Sequence, residues 1–113
     1  MRERIDILDV LVDKVDTKVA LARIMDFIED NHHNQLVVTP NAEMIVQAQE
    51  DLKLKQIINN SDLALPDGAG VVFASKILGN PIPERVTGIN LVKNLFKIGN
   101  ETNYSFYFLG AAP

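Results

Sequence analysis

The chain has 113 residues and a formal net charge of −4, from 11 Lys and Arg against 15 Asp and Glu. Hydrophobic residues make up 47% of it, enough for one folded core, so a single domain over residues 1–113 is expected. No basic cluster marks nucleic acid as a partner, no cysteine provides disulfide or thiolate chemistry, and no apolar run approaches the roughly 20 residues of a membrane span, which makes a cytoplasmic location the default.

In chain order, Ile5 to Val12 is rich in β-formers and predicts one strand or a small hairpin. Asp16-Thr17 offers a helix cap, and Val19, Ala20, Leu21, Ile24, Met25, Phe27 and Ile28 follow at helical spacing. That helix should stop near Asn31-His32-His33-Asn34. Adjacent histidines do not share a helix face and have no acidic partner at ligand spacing, so they read as partners of the helix dipole and not as metal ligands. Gln35 to Thr39 predicts a buried strand that ends at Pro40, where Asn41 can cap a helix running to about Gln49. A further helix covers Leu52 to Asn60, with Leu52, Leu54, Ile57 and Ile58 inward.

Leu63-Ala64-Leu65 is then a short strand, stopped by Pro66 and followed by Asp67-Gly68-Ala69-Gly70. Val71 to Leu78 is apolar enough for a buried helix. The order strand, tight turn, helix puts Asp67 outside the carboxyl end of a strand, where ligands gather in open α/β sheets. Asp67 is also the residue type that caps helices and shapes turns, and on its own the stretch leaves both readings open. Thr39 and Asn41 sit at an equivalent turn, so they either terminate elements or face the same crevice. Residues 79–88 carry two prolines and two glycines, which predicts an ordered loop whose only fixed positive charge is Arg85. Arg85 pairs with Glu84 or another carboxylate, or else serves an anion beside the next helix. That helix holds Ile89, Leu91, Val92, Leu95, Phe96 and Ile98 mostly inward and should stop at Gly99-Asn100. Ser105 to Leu109 is a strongly β run entering the small-residue turn Gly110-Ala111-Ala112-Pro113.

The expected fold is therefore α/β: a Rossmann-like parallel sheet flanked by helices, cut after a strand. There is no Gly-x-x-x-x-Gly-Lys-Ser/Thr loop, no full Gly-x-Gly-x-x-Gly fingerprint, no Gly-x-Ser-x-Gly elbow and no Asp-x-Asp pair. What remains is a polar crevice containing Thr39, Asn41 and Asp67, with Arg85 as a further candidate.

Thr39-Pro40-Asn41-Ala42-Glu43-Met44, Pro66-Asp67-Gly68-Ala69-Gly70, Arg85-Val86-Thr87-Gly88 and Phe108-Leu109-Gly110-Ala111-Ala112-Pro113 resemble, in order and spacing, the successive motifs of the WecG/TagA/CpsF family of bacterial glycosyltransferases. The resemblance implies a Rossmann-like fold and inverting transfer of N-acetylmannosamine from a UDP-sugar donor to undecaprenyl-diphosphate-linked N-acetylglucosamine, in wall teichoic acid linkage-unit synthesis. It also implies no metal, no cofactor, and peripheral contact with the inner face of the membrane through a C-terminal region absent here, while the charge balance argues against nucleic acid as the main partner. The chain departs from the family by ending where members continue, so it reads as the N-terminal part of a longer chain that could self-associate. Inverting transfer needs one base, for which Asp67 is the candidate and the resemblance implies the same; Thr39 and Asn41 would position sugar hydroxyls, and Arg85 would offset diphosphate charge. Three other readings stay open. One is a different sugar-nucleotide transfer to a lipid-linked acceptor, of common-antigen or capsule type. Another is an oxidoreductase nucleotide domain, whose fingerprint is missing, and the last is a binding module without catalysis.

Overall fold

The first apolar stretch folds back on itself. Arg4–Ile7 (β1) and Val10–Asp13 (β2) form an antiparallel hairpin in the computed structural model, which describes residues 2–30 and 33–110. Leu8 and Asp9 make the turn with positive φ of 50° and 66°, a backbone region that costs side-chain-bearing residues energy. The Asp6 carboxylate offsets part of that cost by accepting the Asp9 N–H at 2.8 Å. Ile5, Ile7, Val10 and Val12 all point inward, with the period of two that a half-buried hairpin requires.

Asp16 caps the helix Thr17–Glu29 (α1), accepting the Val19 N–H at 2.8 Å. The chain then runs through Val37–Val38 (β3), Ala42–Ala48 (α2), Leu52–Asn59 (α3), Leu63–Ala64 (β4), Ala69–Ile77 (α4) and Gly88–Thr102 (α5). β3 and β4 pair in parallel, Val37 opposite Leu63 and Val38 opposite Ala64, with α2 and α3 as the crossover. Leu65 extends the ladder by donating to the Val38 carbonyl at 2.8 Å, and Asp62 does so by donating to that of Leu36 at 2.8 Å. This mixed α/β arrangement around a parallel pair is the class the sequence predicts. One apolar cluster joins the hairpin to α2, α3 and α4; a second joins β4 to α1, Val86 and α5.

A side chain, not a ladder, ties the hairpin to β4. Asp13 is completely buried and accepts the Ala64 N–H at 2.7 Å. Its carboxylate also receives Arg2 through Nε at 2.8 Å and Nη2 at 2.9 Å, with Arg23 Nη1 at 3.5 Å. The hydrogen bonds to Asp13 push the Arg2 guanidinium above its ordinary pKa, against the opposing effect of burial. A cation whose pKa rises on folding contributes stability below its unfolded value, so this contribution is present at every physiological pH.

Several expectations change. Leu52 and Ile57 face outward; only Ile58 of α3 is fully buried, and Leu54 is partly so. Helix α4 is buried on one side only, through Val71 and Ser75, while Phe73 is 65% and Ile77 71% exposed. The hairpin covers the inner face, and no described element covers the outer one. Ile89, Val92 and Phe96 of α5 are likewise exposed. Gly99 does not end α5, which runs to Thr102 and closes on Asn103 in a left-handed conformation (φ 61°), its N–H donating to the Gly99 carbonyl. Gly99 is instead a contact residue: a Cβ there would lie 2.8 Å from the Phe106 ring. Residues 105–109 are not a strand, because no described strand edge pairs with them. Phe106 and Phe108 pack as tilted rings against Phe96 instead, at centroid distances of 4.8 and 5.7 Å. α1 ends at Glu29, and His33 lies 4.0 Å from Asp30. Asn31 and His32, and the turn residues 111–113, fall outside the described residues.

Removing the Asp13 carboxylate leaves a guanidinium and the Ala64 N–H without their acceptor. Asp13→Ala should therefore cost about 3–5 kcal/mol of stability, as deletion of one partner of a buried ion pair does. Urea denaturation measures it, and a loss below about 1 kcal/mol, the value of a surface pair, would contradict the structural role.

Candidate functional site

Both strands of the parallel pair end on a proline, and a proline has no N–H with which to continue a ladder. Pro40 follows Thr39 after β3, and Pro66 follows Leu65 after β4; both are buried. Parallel neighbours open their carboxyl ends on the same side, so the turns 39–41 and 66–68 lie next to each other. Asn41 is extended and caps α2, its Oδ1 accepting the Met44 N–H at 2.9 Å. No described residue bonds its amide nitrogen. In the second turn the Asp67 N–H donates to the Leu65 carbonyl at 2.8 Å, and Gly68 takes φ 142°, which frees the chain to enter α4.

The two turns are in contact. A Cβ at Gly68 would sit 3.6 Å from Asn41 Cβ, and one at Gly70 would sit 3.2 Å from Ala42 Cβ. The loop before α5 closes a third side, with the Val86 N–H donating to the Pro66 carbonyl at 3.0 Å. Thr87 caps α5 by accepting the Asn90 N–H at 3.2 Å. The next N–H, that of Gly88, points at Asp67 Oδ2 from 3.5 Å, at the long limit of a hydrogen bond. A Cβ at Gly88 would meet Thr39 Cγ2 at 3.2 Å. Thr39, Asn41 and Asp67 thus surround one crevice at the amino ends of α2, α4 and α5.

Arg85 stands at the rim and is exposed. It lines a groove of about 560 Å³ along α4 with Ala69, Gly70, Val72, Phe73 and Lys76. The neighbouring Glu84 does not pair with it: the Glu84 carboxylate accepts the Thr17 N–H of α1 at 2.7 Å. Among the described residues no carboxylate forms an ion pair with Arg85. Sequence reasoning misses Gly88 as a wall of the crevice and Lys76 as a second cation in the groove. Arg85-Val86-Thr87-Gly88 is a visible signal for the first; the second needs the helix face.

Among the described residues no three His, Asp or Glu side chains are grouped to hold a metal, and no helix is long and apolar enough to cross a membrane.

Gly68→Ala tests the turn. The space beside Gly68 admits a methyl at ordinary contact distance, so the cost comes from φ and should be about 1–3 kcal/mol. A thermal melt that does not shift would show that the turn relaxes freely.

The crevice residues fall in a sequence that matches a protein-family model. Residues 5–113 match the model of the glycosyl transferase WecG/TagA/CpsF family. The chain is also similar to a Staphylococcus aureus protein named N-acetylglucosaminyldiphosphoundecaprenol N-acetyl-beta-D-mannosaminyltransferase, 31% identical over 109 residues. A Bacillus spizizenii protein of the same name is 31% identical over 83 residues. These alignments cover 96% and 74% of this chain but 43% and 32% of the relatives, so the chain spans less than half the length of either. With the model matched from the first strand to the last residue, the chain belongs to the WecG/TagA/CpsF family of glycosyltransferases.

Proposed function

We propose that the full-length protein is an inverting glycosyltransferase that moves N-acetylmannosamine from UDP to N-acetylglucosamine on undecaprenyl diphosphate, in wall teichoic acid linkage-unit synthesis. The names of the two relatives support this donor sugar and this acceptor. The observation that carries the chemistry is the placing of Asp67, a carboxylate in a glycine-flanked turn, half-buried and steered by the Gly88 N–H, with Thr39 and Asn41 across the crevice.

Inversion by single displacement requires one base. Asp67 takes the proton from the acceptor hydroxyl as its oxygen attacks the anomeric carbon, and UDP leaves from the opposite face. The free amide nitrogen of Asn41 and the Thr39 hydroxyl hold sugar hydroxyls in line. Diphosphate charge is offset by Arg85 and by the amino ends of the helices that converge on the crevice, so no metal ion is required. The lipid acceptor sets the reaction at the inner face of the membrane, which the protein contacts peripherally.

Incubating the full-length protein with UDP-N-acetylmannosamine and the lipid-linked acceptor should release UDP. Asp67→Asn should lower turnover about 10²-fold or more while the melting temperature holds, since Asn keeps an oxygen for the Gly88 N–H. Near-normal turnover with lost stability would make Asp67 a turn residue only. Transfer should also survive EDTA; revival of a chelated enzyme by magnesium or manganese would overturn the metal-free route.

A further inference from the structure

The groove beside the crevice is unlike the crevice itself. Its lining along α4 is apolar, with Ala69, Gly70, Val72 and an exposed Phe73, and its two cations are Lys76 and Arg85. Neither has an ion-pair partner among the described residues. A basic residue in the last turn of a helix is favoured by the helix dipole, which accounts for a lysine in that turn but not for its lining a groove with an arginine from another segment. Phe73 and Ile77, one turn apart, form an uncovered apolar ridge that leads from the groove along the helix. Two unpaired cations beside an apolar track complement an anionic head joined to a hydrocarbon chain, and a free nucleotide lacks the second part.

Resting on the function proposed above, we infer that this groove is the acceptor subsite: Lys76 and Arg85 hold the diphosphate, and Phe73 and Ile77 carry the first prenyl units. Ala69 opens α4 two residues after Asp67, and Lys76 lies seven residues further on, about 10 Å along the axis. The acceptor sugar, attached to the diphosphate, then reaches back toward the Asp67 carboxylate, and the lipid runs over Phe73 and on past Ile77. This assigns Arg85 to the acceptor's diphosphate.

Farnesyl diphosphate is the binding probe, with inorganic pyrophosphate and UDP as comparisons, on the full-length protein. Wild type should bind farnesyl diphosphate at least tenfold more tightly than pyrophosphate, because the chain adds apolar burial. Lys76→Ala should weaken both by about tenfold, and Phe73→Ser should weaken farnesyl diphosphate alone. Both side chains are exposed, so folding is spared. In transfer assays either change should raise KM for the lipid acceptor about tenfold and leave kcat and the donor KM within twofold. Equal binding of farnesyl diphosphate and pyrophosphate, variants that bind like wild type, or a shift in donor KM overturns the subsite. Loss of self-association in Phe73→Ser with lipid binding intact also overturns it and gives the face to a second copy. Should the protein bind farnesyl diphosphate as expected but transfer no sugar, the subsite stands and the proposed reaction fails.

Discussion

The Asp13 carboxylate is the constraint on which the other elements depend. A two-residue parallel pair gives β3 and β4 few hydrogen bonds of their own. What fixes β4 on its other side is a single buried acceptor, supplied by the last residue of the hairpin and received by the Ala64 N–H. An unpaired carboxylate in that position would be strongly destabilising, and the bidentate Arg2 with Arg23 behind it supplies the compensating charge. One residue thereby joins the N-terminal segment, the hairpin, α1 and β4.

The crevice follows from that clasp by geometry. With β4 held beside β3 in parallel, Pro40 and Pro66 end their strands side by side, and the turns after them must touch. They touch at glycines. Gly68, Gly70 and Gly88 are the points where Asn41, Ala42 and Thr39 come closest, and a side chain at Gly70 or Gly88 would force the neighbouring wall to give. Small residues at these positions let three helix amino ends converge within reach of one carboxylate.

Much of this arrangement is legible in local chemistry. Caps at Asp16 and Asn41 are set by side-chain oxygens acting three residues ahead, and both fall where the pattern places them; Thr87 caps α5 in the same way. The parallel pair and the pairing of turns 39–41 with 66–68 are legible for the same reason, since proline and glycine act within a few residues, whereas Ile5 to Val12 reads only as one strand or a hairpin. Burial is less legible. Apolar content makes α4 and α5 read as buried helices, but composition does not say whether a second layer lies above them, and Phe73, Ile77 and Ile89 stay exposed. Gly99 shows the same limit: as a sequence sign it reads as a helix stop, whereas it is the seat for Phe106, a partner fixed only by tertiary packing. Asp13 is invisible as a clasp, because nothing near it in sequence announces a partner 51 residues away. Residues 105–109 have strand propensity, yet propensity without a paired edge leaves an extended segment, and the aromatic packing against Phe96 is the contact left to it.

Arg85 shows how a charge is kept available by occupying its nearest rival. Glu84 is the adjacent carboxylate and would neutralise the guanidinium if it turned toward the groove. It is drawn the other way by α1, whose Thr17 N–H is one of the unsatisfied donors at a helix start and whose dipole favours a negative group there. The 2.7 Å bond that results holds the loop 79–88 against α1, while Arg85 stays exposed and lines the groove along α4. Val86, the residue after Arg85, is buried and its N–H donates to the Pro66 carbonyl, so the chain on the other side of Arg85 is anchored as well. A pair of opposite charges next to each other in sequence thus becomes two separate contacts: one that anchors the loop, and one cation presented at the mouth of the crevice.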